Sequence, residues 1–170
     1  MPGGVTIQPA VAADMPAVAA LFREYADTLG VDLCFQGFEA ELAGLPGAYA
    51  APTGALLIAV SDADEVVGCV GVRKLADSRT CEMKRLYARP VTRGSGVGRA
   101  LAVAAIEAAR GLGYARMRLD TLPEMTAAQG LYRSLGFEIV PPYYETPLGG
   151  TIFMQKSLGP PDSRSYTGSR

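Results

Sequence analysis

From Leu86 to Leu101 the chain reads Leu-Tyr-Ala-Arg-Pro-Val-Thr-Arg-Gly-Ser-Gly-Val-Gly-Arg-Ala-Leu. Gly94, Gly96 and Gly98 fall where an extended stretch gives way to an alanine-rich, helical one. The first amides of a helix have no internal acceptor, and the helix dipole adds partial positive charge there. Glycines let an anion reach such amides with no side chain in the way. This is the chemistry of holding a pyrophosphate, with Ser95 and the amides of Val97 and Gly98 in the same bend and Arg93 and Arg99 as flanking cations. Two common phosphate loops do not fit. A nucleotide-hydrolase loop needs Gly-Lys-Ser/Thr where this chain has Gly98-Arg99-Ala100. A dinucleotide fingerprint needs a further glycine where this chain has Arg99, or Leu101 in the shifted count.

The absence of histidine narrows the remaining chemistry. It removes Ser-His and Cys-His nucleophilic pairs and the commonest metal ligand, so carboxylates, tyrosines, arginines, backbone dipoles or water must serve. Cys34, Cys69 and Cys81 are odd in number and form no C-x-x-C spacing, which argues against a disulfide framework and a zinc site. A net charge of −1 gives no general reason to bind nucleic acid or an anionic membrane. No apolar run is long enough to span a membrane, and the amino terminus lacks a secretory pattern, so the expected location is the cytoplasm. With 49% apolar and 19% charged residues over 170 positions, the expectation is one globular domain.

The elements that must position these groups follow from periodicity. Val5 to Gln8 reads as a strand. Asp14 is placed to cap a helix whose stripe is Val18, Leu21, Phe22, Tyr25 and Leu29, ending at Gly30. A short helix over Phe38 to Leu42 follows. Ala55 to Val60, Val66 to Leu75 and Thr80 to Ala88 read as three antiparallel strands, with Gly68 and Gly71 marking a bulge or close approach. A helix from Gly98 to Arg110 carries the stripe Val97, Leu101, Ala104, Ala108 and Leu112. Then come a strand over Ala115 to Thr121, a helix over Thr126 to Leu135 closed by Gly136, and strands over Phe137 to Val140 and Thr151 to Leu158. The fold class is α/β: a mixed, mostly antiparallel central sheet flanked by helices. The domain is expected to span 1–158, and 159–170 is expected to be a disordered tail.

The glycine bend resembles the cofactor motif of the GNAT superfamily of acyl-CoA N-acyltransferases, Arg/Gln-x-x-Gly-x-Gly/Ala. Arg93-Gly94-Ser95-Gly96-Val97-Gly98 fits each fixed position. Leu86-Tyr87-x-x-Pro90 before it and Leu131-Tyr132-x-x-Leu135-Gly136-Phe137 after it resemble the family's flanks, and the element order agrees from Val5 to Leu158. One position departs: many members carry Asn where this chain has Met125, which puts one cofactor contact in question.

The resemblance implies acetyl-CoA as co-substrate, no metal, and direct attack of an amine on the thioester with no acyl-enzyme. A lysine-like ammonium must shed a proton first, which costs roughly 4.6 kcal/mol at neutral pH. Glu82, on the strand entering the bend, is the expected base, with Glu145 as the alternative. Backbone amides near Leu86 and Tyr87, with Ala88 beside them, are expected to meet the developing oxyanion. Tyr132 corresponds to the family's acid for the departing thiolate. Phe35, Tyr143, Tyr144 and Glu145 are expected to line the acceptor site. The expected acceptor is the primary amine of a small molecule or amino acid. The alternatives are a protein or peptide amine, and a CoA-binding sensor or structural module without acceptor chemistry. Strand pairing across subunits, common in such folds, would allow a homodimer.

Overall fold

The computed structural model describes residues 4–30 and 37–159. β1 (Val5–Pro9), β2 (Ala55–Ser61), β3 (Val66–Lys74) and β4 (Thr80–Ala88) pair in that order, each antiparallel to the next. Between β1 and β2 run α1 (Met15–Leu29) and α2 (Phe38–Ala43). After β4 come α3 (Val97–Gly111), β5 (Arg116–Thr121), α4 (Thr126–Ser134), β6 (Glu138–Val140) and β7 (Ile152–Ser157). β5 lies parallel to β4, and β7 sits between β5 and β6, giving one seven-stranded sheet. This is the architecture expected from the sequence. The tail from 160 onward lies outside the described residues. Among those described, no helix is long and apolar enough to cross a membrane.

Helices cover both faces. One core packs the sheet against α3 and α4 around Leu101, Ala105, Met117 and Leu119. The other packs it against α1 and α2 around Val18, Leu21, Phe22 and Ile58. The buried stripe of α3 runs through Leu101, Ala102, Ala105, Ile106 and Ala109. It is thus turned from the expected one, and Ala104, Ala108 and Leu112 fall at its margin. Asp14 also differs from expectation. Its carboxylate accepts the Val11 amide at 2.8 Å and closes the turn before α1, with no capping bond to the helix itself.

Gly68 and Gly71 let the two layers close on the sheet. A Cβ on Gly68 would stand 2.8 Å from Leu101 Cδ1, and one on Gly71 would stand 2.6 Å from the Tyr49 ring. The β3–β4 register shifts between them, because Arg85 takes a left-handed conformation at φ 59°. For a residue with a Cβ that conformation costs on the order of 1–3 kcal/mol. Its side chain supplies the offset: the buried guanidinium binds Glu41 through Nε at 2.9 Å and Nη2 at 3.1 Å, and lies 5.2 Å from the Phe38 ring centre. α2 therefore holds the bulge in place.

Candidate active site

The bulge lies beside the place where the sheet opens. β4 and β5 pair from Thr80–Arg116 to Glu82–Arg118 and no further, although β4 runs on to Ala88 and β5 to Thr121. Beyond that rung the two strands present unpaired backbone to each other. The bond from the Arg89 amide to the Val67 carbonyl, 2.8 Å, sets the alternation along β4. By that alternation Tyr87 directs its amide to β3 and Ala88 directs its own into the gap, while Leu86 sits in the bulge itself. Of the two expected oxyanion donors, Tyr87 thus turns its amide away from the gap. The Tyr87 side chain instead helps pin β4 to α1. It reaches Glu24 at 3.3 Å, and Arg89 binds the same carboxylate at 2.8 Å.

The glycine bend follows directly. Gly94 and Gly96 have φ of 82° and 81°, a region in which glycine is unstrained, and a Cβ on Gly94, Gly96 or Gly98 would meet nothing within 4 Å. The bend uses some of its own amides: Arg93 donates to Pro90, and Ser95 to Thr92. The Ser95 hydroxyl also turns inward onto the Thr92 carbonyl. The amides of Gly94, Gly96, Val97, Gly98 and Arg99 find no acceptor among the described residues, the last three forming the first turn of α3. Arg93 is exposed beside them. Arg99 turns away, donating to the Ser134 hydroxyl at 2.9 Å, and so ties α3 to α4. The Val97 side chain is core.

A second orphan lies across the gap. Thr121, at the end of β5, is 3% exposed, and its Oγ1 is sealed without a hydrogen-bond partner. A buried hydroxyl left unpaired costs roughly 1–3 kcal/mol, so it calls for an external partner. Free amides that suit a pyrophosphate and a sealed hydroxyl beside the parted strands together fit an extended ligand such as coenzyme A. Next to Thr121 the loop into α4 is tied down from inside, because Gln129 donates to the Leu122 and Pro123 carbonyls at 2.9 and 3.2 Å. Met125 precedes α4 without a side-chain cap.

On the α1–α2 face of the gap the polar groups are already sorted. Glu82 is 1% exposed. One oxygen takes Arg73 Nε at 2.7 Å and Nη2 at 2.7 Å, and the other accepts the Tyr143 hydroxyl at 2.5 Å. Glu82, the expected base, is thus sealed from solvent with both oxygens engaged, and Lys84 Nζ lies 4.0 Å from the oxygen that Arg73 holds. Asp120, which the sequence reading passed over, is placed better. It is half-buried on the unpaired end of β5, with one oxygen bonded by the Tyr144 hydroxyl at 2.9 Å and no ion pair among the described residues. Strand alternation gave the missing signal: Arg116, Arg118 and Asp120 share the face opposite Met117, Leu119 and Thr121.

Tyr132 projects from α4 on the other face, 7% exposed, with its ring edge-on to Phe137 at 5.8 Å. Burial pushes its hydroxyl well above the ordinary value of 10, and the nearby Tyr25 and Asp120 push the same way. Its hydroxyl has no hydrogen-bond partner among the described residues and is not one of their sealed atoms. Tyr25 is itself raised to about 12, chiefly by burial.

Tyr143, Tyr144 and Phe153 form a mutual edge-on cluster with centroids 5.1 to 5.4 Å apart. The structure thus brings together Tyr143 and Tyr144 of the expected acceptor wall. Glu145, on the same loop, is exposed and lines a cavity together with Tyr144 and Phe153. Phe35 and Cys34 lie outside the described residues. Cys69 and Cys81 are buried, and burial pushes both thiols upward, Cys81 to about 12, so neither offers a ready thiolate.

Comparison with known proteins accords with this geometry. The model of the family described as Acetyltransferase (GNAT) matches residues 19–137. An uncharacterized N-acetyltransferase of Schizosaccharomyces pombe is 37% identical over 145 residues, covering 85% of this chain and 89% of that one. A GNAT-family acetyltransferase from Staphylococcus aureus superposes with a TM-score of 0.77 at 17% identity, over 92% of this chain and all of the other. The acetyltransferase yncA of Salmonella typhimurium, solved with its cofactor acetyl-CoA, superposes with a TM-score of 0.67 at 24% identity, over 92% and 95% of the two chains.

Proposed function

This chain belongs to the GNAT acetyltransferase family, and we propose that it carries the acetyl group of acetyl-CoA directly onto the primary amine of a small molecule or amino acid. The observation that carries the reading is the parting of β4 from β5 next to a bend with free amides. The amides of Gly94, Gly96 and Gly98, with Arg93 beside them, hold the pyrophosphate. The Thr121 hydroxyl meets a polar group of the cofactor's arm within the gap.

Each step then falls to a residue already in place. Asp120 takes a proton from the incoming ammonium, which frees the nitrogen lone pair to attack the thioester carbon. The Leu86 and Ala88 amides donate to the oxygen that gains charge as the carbonyl becomes tetrahedral. Tyr132 gives its proton to the sulfur as the C–S bond breaks. Burial keeps its hydroxyl protonated at neutral pH, so the donor is always loaded. The nitrogen, cationic once bonded to carbon, sheds its second proton, which restores the Tyr132 hydroxyl; one proton is left on Asp120 for solvent to take, and no covalent enzyme intermediate is needed.

The sealing of Glu82 favours a second reading, a CoA-binding module that transfers nothing. Release of free thiol from acetyl-CoA, followed over a panel of amines, decides between them. Turnover that falls at least about tenfold in Asp120→Asn supports transfer. Acetyl-CoA binding with no thiol release for any amine supports the module.

A further inference from the structure

Among the described residues, Arg118 is an arginine on this face with no carboxylate partner, whereas buried Lys84 lies 4.0 Å from Glu82. In register the sheet carries a polar row, Arg73 on β3, Glu82 on β4, Arg118 on β5 and Gln155 on β7. Glu82 could have bound either neighbouring arginine, but its oxygens go to Arg73 and Tyr143. Arg85 is taken up by Glu41. Arg118 uses only Nε, donating to Gln155 Oε1 at 2.9 Å, and its guanidinium lies 5.4 Å from the Tyr143 ring centre. It has no ion pair among the described residues and is half-buried. The fork is therefore oriented from one side and by an aromatic ring, with its two outer nitrogens left over. A guanidinium held in this way is shaped to take a carboxylate through both outer nitrogens.

The distance to Asp120 sets what that carboxylate belongs to. Arg118 and Asp120 are two positions apart on the same strand face, roughly 6.6 Å between backbone positions. One attracts an anion and the other a cation, beside the wall formed by Tyr143 and Tyr144. A molecule with an amine and a carboxylate one carbon apart bridges two such side chains. We infer that the acceptor is a free α-amino acid, its carboxylate clamped by Arg118 and its amine delivered to Asp120. This rests on the transfer reading above and names the acceptor class within it.

The test compares each proteinogenic α-amino acid with its α-carboxamide as acceptor, by thiol release, in the wild type and in Arg118→Ala and Arg118→Lys. Acetyl-CoA affinity is measured alongside by calorimetry. In the wild type, an acid is expected to be acetylated with kcat/KM about thirtyfold above its amide, mainly through KM. In Arg118→Ala that preference shrinks to about threefold or less, while affinity for acetyl-CoA holds; Arg118→Lys recovers part of it. Equal use of acids and amides by the wild type overturns the inference. So does a preference that survives Arg118→Ala, or an absence of turnover on acids while amides are used. Absence of thiol release with acids and amides alike is a different result, since it removes the transfer reading itself.

Discussion

Glu82 and Arg118 face each other on the last rung shared by β4 and β5, yet Glu82 spends both oxygens on Arg73 and Tyr143. That choice fixes two things at once. It locks the closed end of the gap, joining β3, β4 and the loop before β7 through one buried carboxylate. It also leaves Arg118 uncommitted at the mouth of the opening.

Removing the charge of Glu82 should therefore act on stability. Glu82→Gln leaves Arg73 without its carboxylate partner and is expected to lower stability by about 3 kcal/mol, read as a shift in the urea midpoint. Acetyl-CoA affinity in the folded variant should match the wild type. A fully stable but inactive Glu82→Gln would return the base role to Glu82.

Tyr132→Phe keeps the packing against Phe137 and removes only the hydroxyl. Turnover is expected to fall at least about tenfold while acetyl-CoA affinity changes little. Equal turnover in the two proteins removes Tyr132 as the proton donor.

Thr121→Val replaces a sealed, unpaired hydroxyl with a methyl of the same shape. Without ligand the variant should be more stable than the wild type by roughly 1 kcal/mol, because an unsatisfied buried group has gone. With acetyl-CoA the order should narrow or reverse, since the hydroxyl then has a partner. Thermal melts with and without acetyl-CoA read both effects, and an identical shift in the two proteins would place Thr121 outside the cofactor site.

The bulge at Arg85 gives a pH signature. Burial pushes the Glu41 carboxyl up, but the hydrogen bonds and charge of Arg85 outweigh it and hold the group below its ordinary 4.5. A depressed folded value stabilises fully above the unfolded value and fades as pH falls through the folded one. At pH 7, Glu41→Gln is expected to be less stable by about 3 kcal/mol. The difference should shrink steadily below about pH 4.5. A gap that widens on acidification would contradict the pairing.

Much of this was readable from the chain. Strands β2, β3 and β4 were legible because apolar runs met polar turns, and Gly30 and Gly136 closed their helices in the left-handed conformation as expected. The cofactor bend was legible because alternate glycines before an alanine-rich helix have few other uses. The opening itself was not, because it depends on Arg85 adopting a conformation that its residue type does not advertise. Nor was the fate of Glu82, whose partners lie nine residues away across a hairpin and 61 away in a loop. Asp120 was missed for a simpler reason. Met117 and Leu119 drew the reading to the apolar face of β5, and its polar face carries Arg118 and Asp120.

The account depends most on the free amides between Gly94 and Arg99. Calorimetric titration of acetyl-CoA into the wild type, Gly96→Asp and Gly96→Asn tests them directly. Position 96 is open, with no atom within 4 Å of an added Cβ, and both substituents tolerate its φ of 81° better than most residues. The two variants differ mainly in charge. Gly96→Asp is expected to bind about 100-fold more weakly than the wild type, with Gly96→Asn falling far less. Equal affinity in all three proteins would contradict the assignment of this bend to the phosphates.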